Sequence, residues 1–215
     1  MRVRVNPFFD AWTFLIQGGW TTLFFWLLLA GSVAIAGINL TRDKAQRSVR
    51  DLVTWAVRLC IGAMWWQQSL WKLPPAYTDH PDASGGLMQW MKAMTVYASS
   101  ELQRDFVKNV ALPHFHFFAP QVYLSEVLIA VSLILGLFTR LGGALGALMA
   151  LNLWLGLYLS PSEWPWTYFF MFTIQVMFII SAPGRSLGLD AMMLRRENTP
   201  AKGTGWRTRF IDLAA

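Results

Sequence analysis

The stretch VYLSEVLIAVSLILGLF, residues 122–138, decides the fold class. It is apolar along nearly its whole length and yet holds a carboxylate, Glu126. Crossing the hydrocarbon of a bilayer takes about 20 apolar residues in a helix, so this run reads as a membrane span. An ionisable group inside a span is expensive, and it needs a cation, a proton or a ligand beside it. The same run therefore predicts a transmembrane helix and a site.

Working outward, four more apolar runs appear at 11–40, 52–70, 141–159 and 165–182. Apolar side chains make up 55% of the chain, with 12 Trp and 15 Phe, more than a soluble domain of this size needs. The expected class is an all-α, polytopic membrane protein. The run 11–40 has no charge and exceeds one crossing, so it is expected as a helix that spans with a tilt or runs into an interface. Its Ala34-Ile35-Ala36 triplet resembles a signal-peptide cleavage site, but the run is too long, and a retained helix is expected. The run 52–70 carries Arg58 and is stopped by Lys72 and Pro74-Pro75. Thr139-Arg140 and residues 160–164 are such short links that the last three helices must be antiparallel neighbours.

Residues 73–120 are different in kind, with prolines, histidines and mixed charges around two amphipathic runs, Leu87–Tyr97 and 101–110. These are expected to lie on the membrane surface as a cap, with Trp90 and Phe106 on the apolar side. The net charge of +6 does not point to nucleic acid, because the basic residues gather at the ends of apolar runs. Arg42, Lys44, Arg47, Arg50, Arg140, Arg185 and a basic tail fall on one side, against Arg2, Arg4, Lys92, Arg104 and Lys108 on the other. By the positive-inside rule the N-terminus is outside, the C-terminus inside and the cap extracytoplasmic.

Function classes narrow further. Cys60 is the one cysteine, which excludes a disulfide, a CxxC redox pair or a cysteine-held iron–sulfur cluster within the chain. His114 and His116, at i, i+2, do not share a helical face, and no acid or thiol completes a ligand set, so neither metal nor haem is expected. Glu126 is expected in the first turn or two of its helix, where it would meet Lys72 at the end of another. Asn152 and Gln175 fall near mid-span and are expected to face one another. Arg58, Trp65, Ser69 and Lys72 share one helical stripe, at offsets of 7, 11 and 14. Each has a plainer reading as well: Arg58 and Lys72 can snorkel, and Asn152 and Gln175 can join helices. The Gly142-x-x-x-Gly146-x-x-x-Ala150 series reads as helix packing, and Trp154, Tyr158, Trp164, Trp166 and Tyr168 read as an aromatic belt.

Arg58-x-x-x-Gly62 running to Lys72, Glu126 opening the next helix, Gly136-Leu137-Phe138-Thr139-Arg140 at its far end, and the segment from Pro183 through Gly184, Arg185, Ser186, Leu187, Gly188 and Leu189 to Asp190 together resemble the DoxX/DoxD superfamily. The long insertion makes the chain more similar to the DoxD branch, the membrane subunit of thiosulfate:quinone oxidoreductase. The resemblance implies a four-helix unit over 52–194 with the cap insertion 73–120. It leaves 1–51 as an extra N-terminal transmembrane helix with a basic loop, and 195–215 as a basic cytoplasmic tail. It further implies a bacterial or archaeal cytoplasmic membrane, oxidation of thiosulfate to tetrathionate with electrons passing to quinone, and additional protein subunits.

Under that reading Glu126 and Lys72 are the candidate catalytic pair. Arg58, Trp65, Gln68, His80, His114 and His116 are candidates for binding substrate, with Trp65 and Gln68 also bordering a quinone slot. Trp66, Asn152, Trp166 and Gln175 are candidates for holding the quinone. The other reading is a non-catalytic accessory or anchoring subunit of a larger electron-transfer complex, favoured by the lack of any recognisable cofactor motif.

Overall fold

The computed structural model describes residues 6–16, 18–77, 86–197 and 206–215, and among these the chain is helical with no strand. Helices α1 (Pro7–Ile16) and α2 (Trp20–Arg42) replace the single long helix expected over 11–40. The break falls at Gly18 and Gly19, whose φ angles of 73° and 103° an L side chain rarely adopts. Helix α3 (Val49–Ser69) starts at Ser48, whose Oγ accepts the Asp51 N–H at 3.1 Å, and runs into a tighter turn, Leu70–Lys72. Then come α4 (Leu87–Tyr97) and α5 (Glu101–Phe106), the latter continuing as a π-helical turn, Val107–Ala111.

Helix α6 (Phe115–Leu135) starts well before residue 122, inside the segment assigned to the cap. Polar residues around His114 and His116 hid this start. The first turns are held by packing instead, since Phe115 and Ala119 are buried in a cluster with Leu87, Met91, Met94 and Leu157. Glu126 consequently lies near the middle of α6, not in its first turn or two. Helices α7 (Thr139–Leu157) and α8 (Pro165–Ser181) form an antiparallel pair. Helix α9 (Leu189–Glu197) and α10 (Trp206–Ala214) fold the tail back, with Phe210 edge-on to Phe138 at 5.9 Å and Arg185 Nε donating to the Ala215 carbonyl at 3.2 Å.

Helix α3 packs on α6, α6 on α7, α7 on α8, and α2 on α6. The α3–α6 approach is close because Gly62 has no side chain; a Cβ there would lie 2.8 Å from Ile134 Cγ1 and 2.9 Å from its backbone nitrogen. Gly143 and Gly146 admit α8 in the same way, with Gly146 making room for the Gln175 side chain. Helix α2 is joined to the rest by polar contacts: Ser32 Oγ donates to the Ile134 carbonyl at 2.6 Å and accepts from Trp55 Nε1 at 3.1 Å. Helix α4 covers the end of α7, where Ser99 N–H reaches the Leu155 carbonyl at 2.8 Å and Leu159 N–H the Tyr97 carbonyl at 3.0 Å. Phe106, expected on the apolar side of the cap, is half exposed and edge-on to Phe118.

Three helices, α2, α6 and α7, are long and apolar enough to cross a membrane, and α8 is apolar but shorter, so the chain is a multi-pass membrane protein. Helix α3, expected as a span, has spanning length but falls outside that set. Its buried face carries Arg58, Ser69 and the tryptophans, which lowers its mean hydropathy while Leu52, Val53 and Val57 remain outward.

The Gly62 contact can be tested against a neutral position. Gly62→Leu must separate α3 from α6 and is expected to cost about 1–3 kcal/mol, the usual penalty of overpacking. Gly37→Leu, where an added Cβ meets nothing within 4 Å, is expected to leave the unfolding midpoint in detergent unchanged. Equal midpoints for the two variants would contradict the close crossing.

Candidate functional site

The stripe on α3 buries Arg58, Gly62, Trp65, Ser69 and, one turn on, Lys72. Lys72 and Glu126 side chains are each 4% exposed. Lys72 Nζ donates to Glu126 Oε1 at 2.5 Å and Oε2 at 2.7 Å, and to the Gln68 carbonyl at 3.1 Å, while lying 3.8 Å from the centre of the Trp71 ring. The ammonium is thus satisfied by a carboxylate, a carbonyl and an aromatic face. Such short charge-assisted bonds, in surroundings of low dielectric, hold two helices together and provide a path for one proton between nitrogen and oxygen. Trp65 and Trp66 are buried nearby in the core with Ile129 and Ala130, and their indole N–H groups have no acceptor among the described residues.

At the other end of the stripe Arg58 is fully buried and donates through Nη1 to the Leu133 carbonyl and to the Ile134 carbonyl, the latter at 3.2 Å. These carbonyls belong to the last turn of α6, where backbone oxygens lack helical partners and the helix dipole favours a cation. Gly136, at φ 68°, closes that helix, and any Cβ on it would sit 2.7 Å from Arg58 Nη1. Asp190 does the converse for α7. Its carboxylate accepts the Phe138 N–H at 2.6 Å, the Thr139 N–H at 3.0 Å and the Thr139 hydroxyl at 2.8 Å. Its own N–H returns to the Gly136 carbonyl at 2.8 Å. Burial pushes the Asp190 carboxyl up, and the bonds from Thr139 and Phe138, with the Arg58 charge, pull it back. Opposite charges therefore sit on opposite dipole ends at the α6–α7 turn. Asn39, Gln46 and Asp51 tie the same turn region to the N-terminal helices through Gly188, Leu187 and Ser186.

A groove of 270 Å³ lies between α3 and α8, walled by Ile61, Met64, Trp164, Thr167, Phe170, Met171 and Ile174. Gln175 also lines it; the residue is 1% exposed and its Oε1 has no hydrogen-bond donor among the described residues. One turn beyond Met64 on the same stripe is Gln68, whose carbonyl accepts from Lys72 and whose Oε1 accepts from Trp71 Nε1 at 3.2 Å.

The remaining candidates are scattered. Asn152 does not face Gln175: it is exposed on α7 and accepts from Gln103 Nε2 at 2.8 Å, joining α7 to the α5 segment, because Gln175 instead packs into the gap at Gly146. His114 precedes α6 with its ring nitrogen 2.9 Å from the Val110 carbonyl, and His116 is exposed beside Phe115. His80 lies outside the described residues. Trp166 is exposed at the start of α8, edge-on to Phe169. Among the described residues no cluster of side chains suited to a metal occurs. The roles of Asp190 and Thr139 were missed, although both sit in the quoted motifs; what marked them was a carboxylate following a Gly-rich turn.

The ion pair makes a sharp stability prediction. Removing one partner, as in Lys72→Met or Glu126→Leu, leaves a buried charge unmatched and is expected to cost about 3–5 kcal/mol, while the double variant recovers most of it. Unfolding in detergent measures all three. Single variants within about 0.5 kcal/mol of the parent, the range of an ordinary surface substitution, would contradict a buried charged pair.

The family described as TQO small subunit DoxD matches residues 53–208, most of the chain, from within α3 to the start of α10. No curated protein and no solved structure matches. The Arg58 stripe, the α6–α7 turn and the Asp190 tail all fall within the matched segment. The chain belongs to the DoxD family.

Proposed function

We propose that this chain is the membrane subunit of a quinone-linked oxidoreductase that draws electrons from thiosulfate. In this reading α3, α6, α7 and α8 form the four-helix unit, α2 is an additional span and α4 with α5 is the extracytoplasmic cap. Membership of a family described as a TQO small subunit supports the assembly with further subunits. The observation that carries the quinone assignment is the α3–α8 groove with its unpaired Gln175 carbonyl oxygen. Apolar walls with one placed acceptor suit a flat, largely apolar ring whose reduced form bears hydroxyl donors.

Two thiosulfate anions joined as tetrathionate release two electrons, and quinone takes these with two protons. Bound quinone supplies the electron acceptor. Ile61, Met64, Met171 and Ile174 would exclude water from the ring, and Gln175 Oε1 would accept a hydrogen bond from a hydroxyl of the reduced, quinol form. A proton that shifts from the Lys72 ammonium to the Glu126 carboxylate takes the pair from its charged to its neutral form without changing its net charge, and so makes Glu126 the proposed proton donor. His80, His114 and His116 are the groups proposed to attract the dianion, and Trp66, Asn152 and Trp166 remain candidates on the quinone side. The second reading, an anchoring subunit, is favoured by the ion pair itself: its donors and acceptors are satisfied within the α3–α6 seam, as a purely architectural contact would be.

Turnover of thiosulfate with a soluble quinone analogue, in membranes holding the chain and its neighbouring subunits, tests the proposal. Glu126→Gln, compared at equal folded fraction, is expected to lower kcat by about a hundredfold or more, the usual contribution of a placed acid–base group. Met64→Trp, which fills the groove, is expected to raise KM for quinone with little change in KM for thiosulfate. Parental turnover in Glu126→Gln would remove the acid from the chemistry, and no turnover in the parent assembly would favour the anchor.

A further inference from the structure

We propose that the chain binds an anionic phospholipid at a second groove, where α2 ends against α9. This groove measures 610 Å³ and is lined by Arg42, Leu189, Met192, Met193 and Arg195. It lies outside everything the redox proposal uses. Arg42 closes α2, one of the helices long and apolar enough to cross a membrane, so its guanidinium stands at the level where hydrocarbon gives way to head groups.

The lining has two halves of different chemistry. Arg195 is braced, with Nη2 on Asn39 Oδ1 and Nη1 3.4 Å from Asp43 Oδ2, so part of its charge is already answered. Arg42 is exposed and makes no hydrogen bond or ion pair among the described residues. Arg42 thus brings to the groove a guanidinium without a partner among the described residues, and a planar fork of donors suits a phosphate oxyanion. The other half, Leu189, Met192 and Met193, is apolar and adaptable, which a soluble phosphate would not need and an acyl chain would fill. From Arg42 the outward face of α2 continues through Ile38, Ala34 and Ala30, with Gly37 beside them, all exposed and mostly small. That lane runs toward the bilayer interior and gives the acyl chain its path. Charge and apolarity together commit the site to a lipid carrying net negative charge.

Arg42 precedes the segment that matches the family, so the groove is completed by a part of the chain outside it. Being exposed and unbonded, Arg42 can be replaced without disturbing the fold.

Native mass spectrometry of the purified full chain, with phosphatidylglycerol and phosphatidylcholine as competing probes, tests the inference. Phosphatidylglycerol is expected to be retained in preference. Arg42→Gln is expected to lower that retention roughly fivefold, the weight of one arginine at an anionic surface, with an unchanged unfolding midpoint. Met192→Trp, which fills the apolar half, is expected to lower it as well, and Arg42→Lys to keep most of it. Equal retention of the two lipids, or full retention in Arg42→Gln, would overturn the proposal. Displacement of the lipid by millimolar inorganic phosphate would also overturn it, assigning the guanidinia to a free anion.

Discussion

A cation held between apolar helices must find its counter-charge inside the protein, and α3 carries two of them on one face. Lys72 finds a carboxylate at mid-helix on α6, and Arg58 finds the backbone carbonyls that close the same helix, with the Asp190 charge near by. Both demands are met by α6, so the pairing and register of these two helices follow from charge as much as from apolar fit. Gly62 lies between the cations and lets the backbones approach, which keeps water from relieving the charges. The α6–α7 turn inherits its geometry from this arrangement: Arg58 sits on the C-terminal dipole, Asp190 on the N-terminal dipole that follows, and Gly136 permits the reversal.

Much of this was legible in the sequence because the period of a helix is fixed. Arg58, Gly62, Trp65, Ser69 and Lys72 fall on one stripe by spacing alone, and only α3's burial was left to find. The meeting of Lys72 with Glu126 followed from placing two charges at the same level of two spans. What could not be read was set by partners distant in sequence. Asn152 and Gln175 looked alike as mid-span amides, yet the gap at Gly146 drew one inward and Gln103 drew the other to the surface. The start of α6 was hidden because packing against α4, rather than lipid, makes its first turns helical. The break at Gly18 and Gly19 was written in the sequence, but apolar composition outweighed it.

Helix α3 thus presents two faces with separate duties. The charged stripe faces α6 and fixes the bundle; the stripe of Ile61 and Met64, roughly a quarter-turn away, faces α8 and leaves a groove. Gln68, next on that second stripe, connects the two through its carbonyl on Lys72. This division leaves the signature residues serving architecture, while the groove proposed for quinone is lined largely by apolar side chains.

The central claim is that the α3–α8 groove holds quinone, and photo-crosslinking with an azido-quinone in membranes, followed by peptide mapping, tests it most directly. Label is predicted on the segment containing Ile61 and Met64 and on residues 164–175, and excess unmodified quinone should abolish it. Label confined to the lipid-facing surface of α2, or insensitive to that excess, would contradict the account.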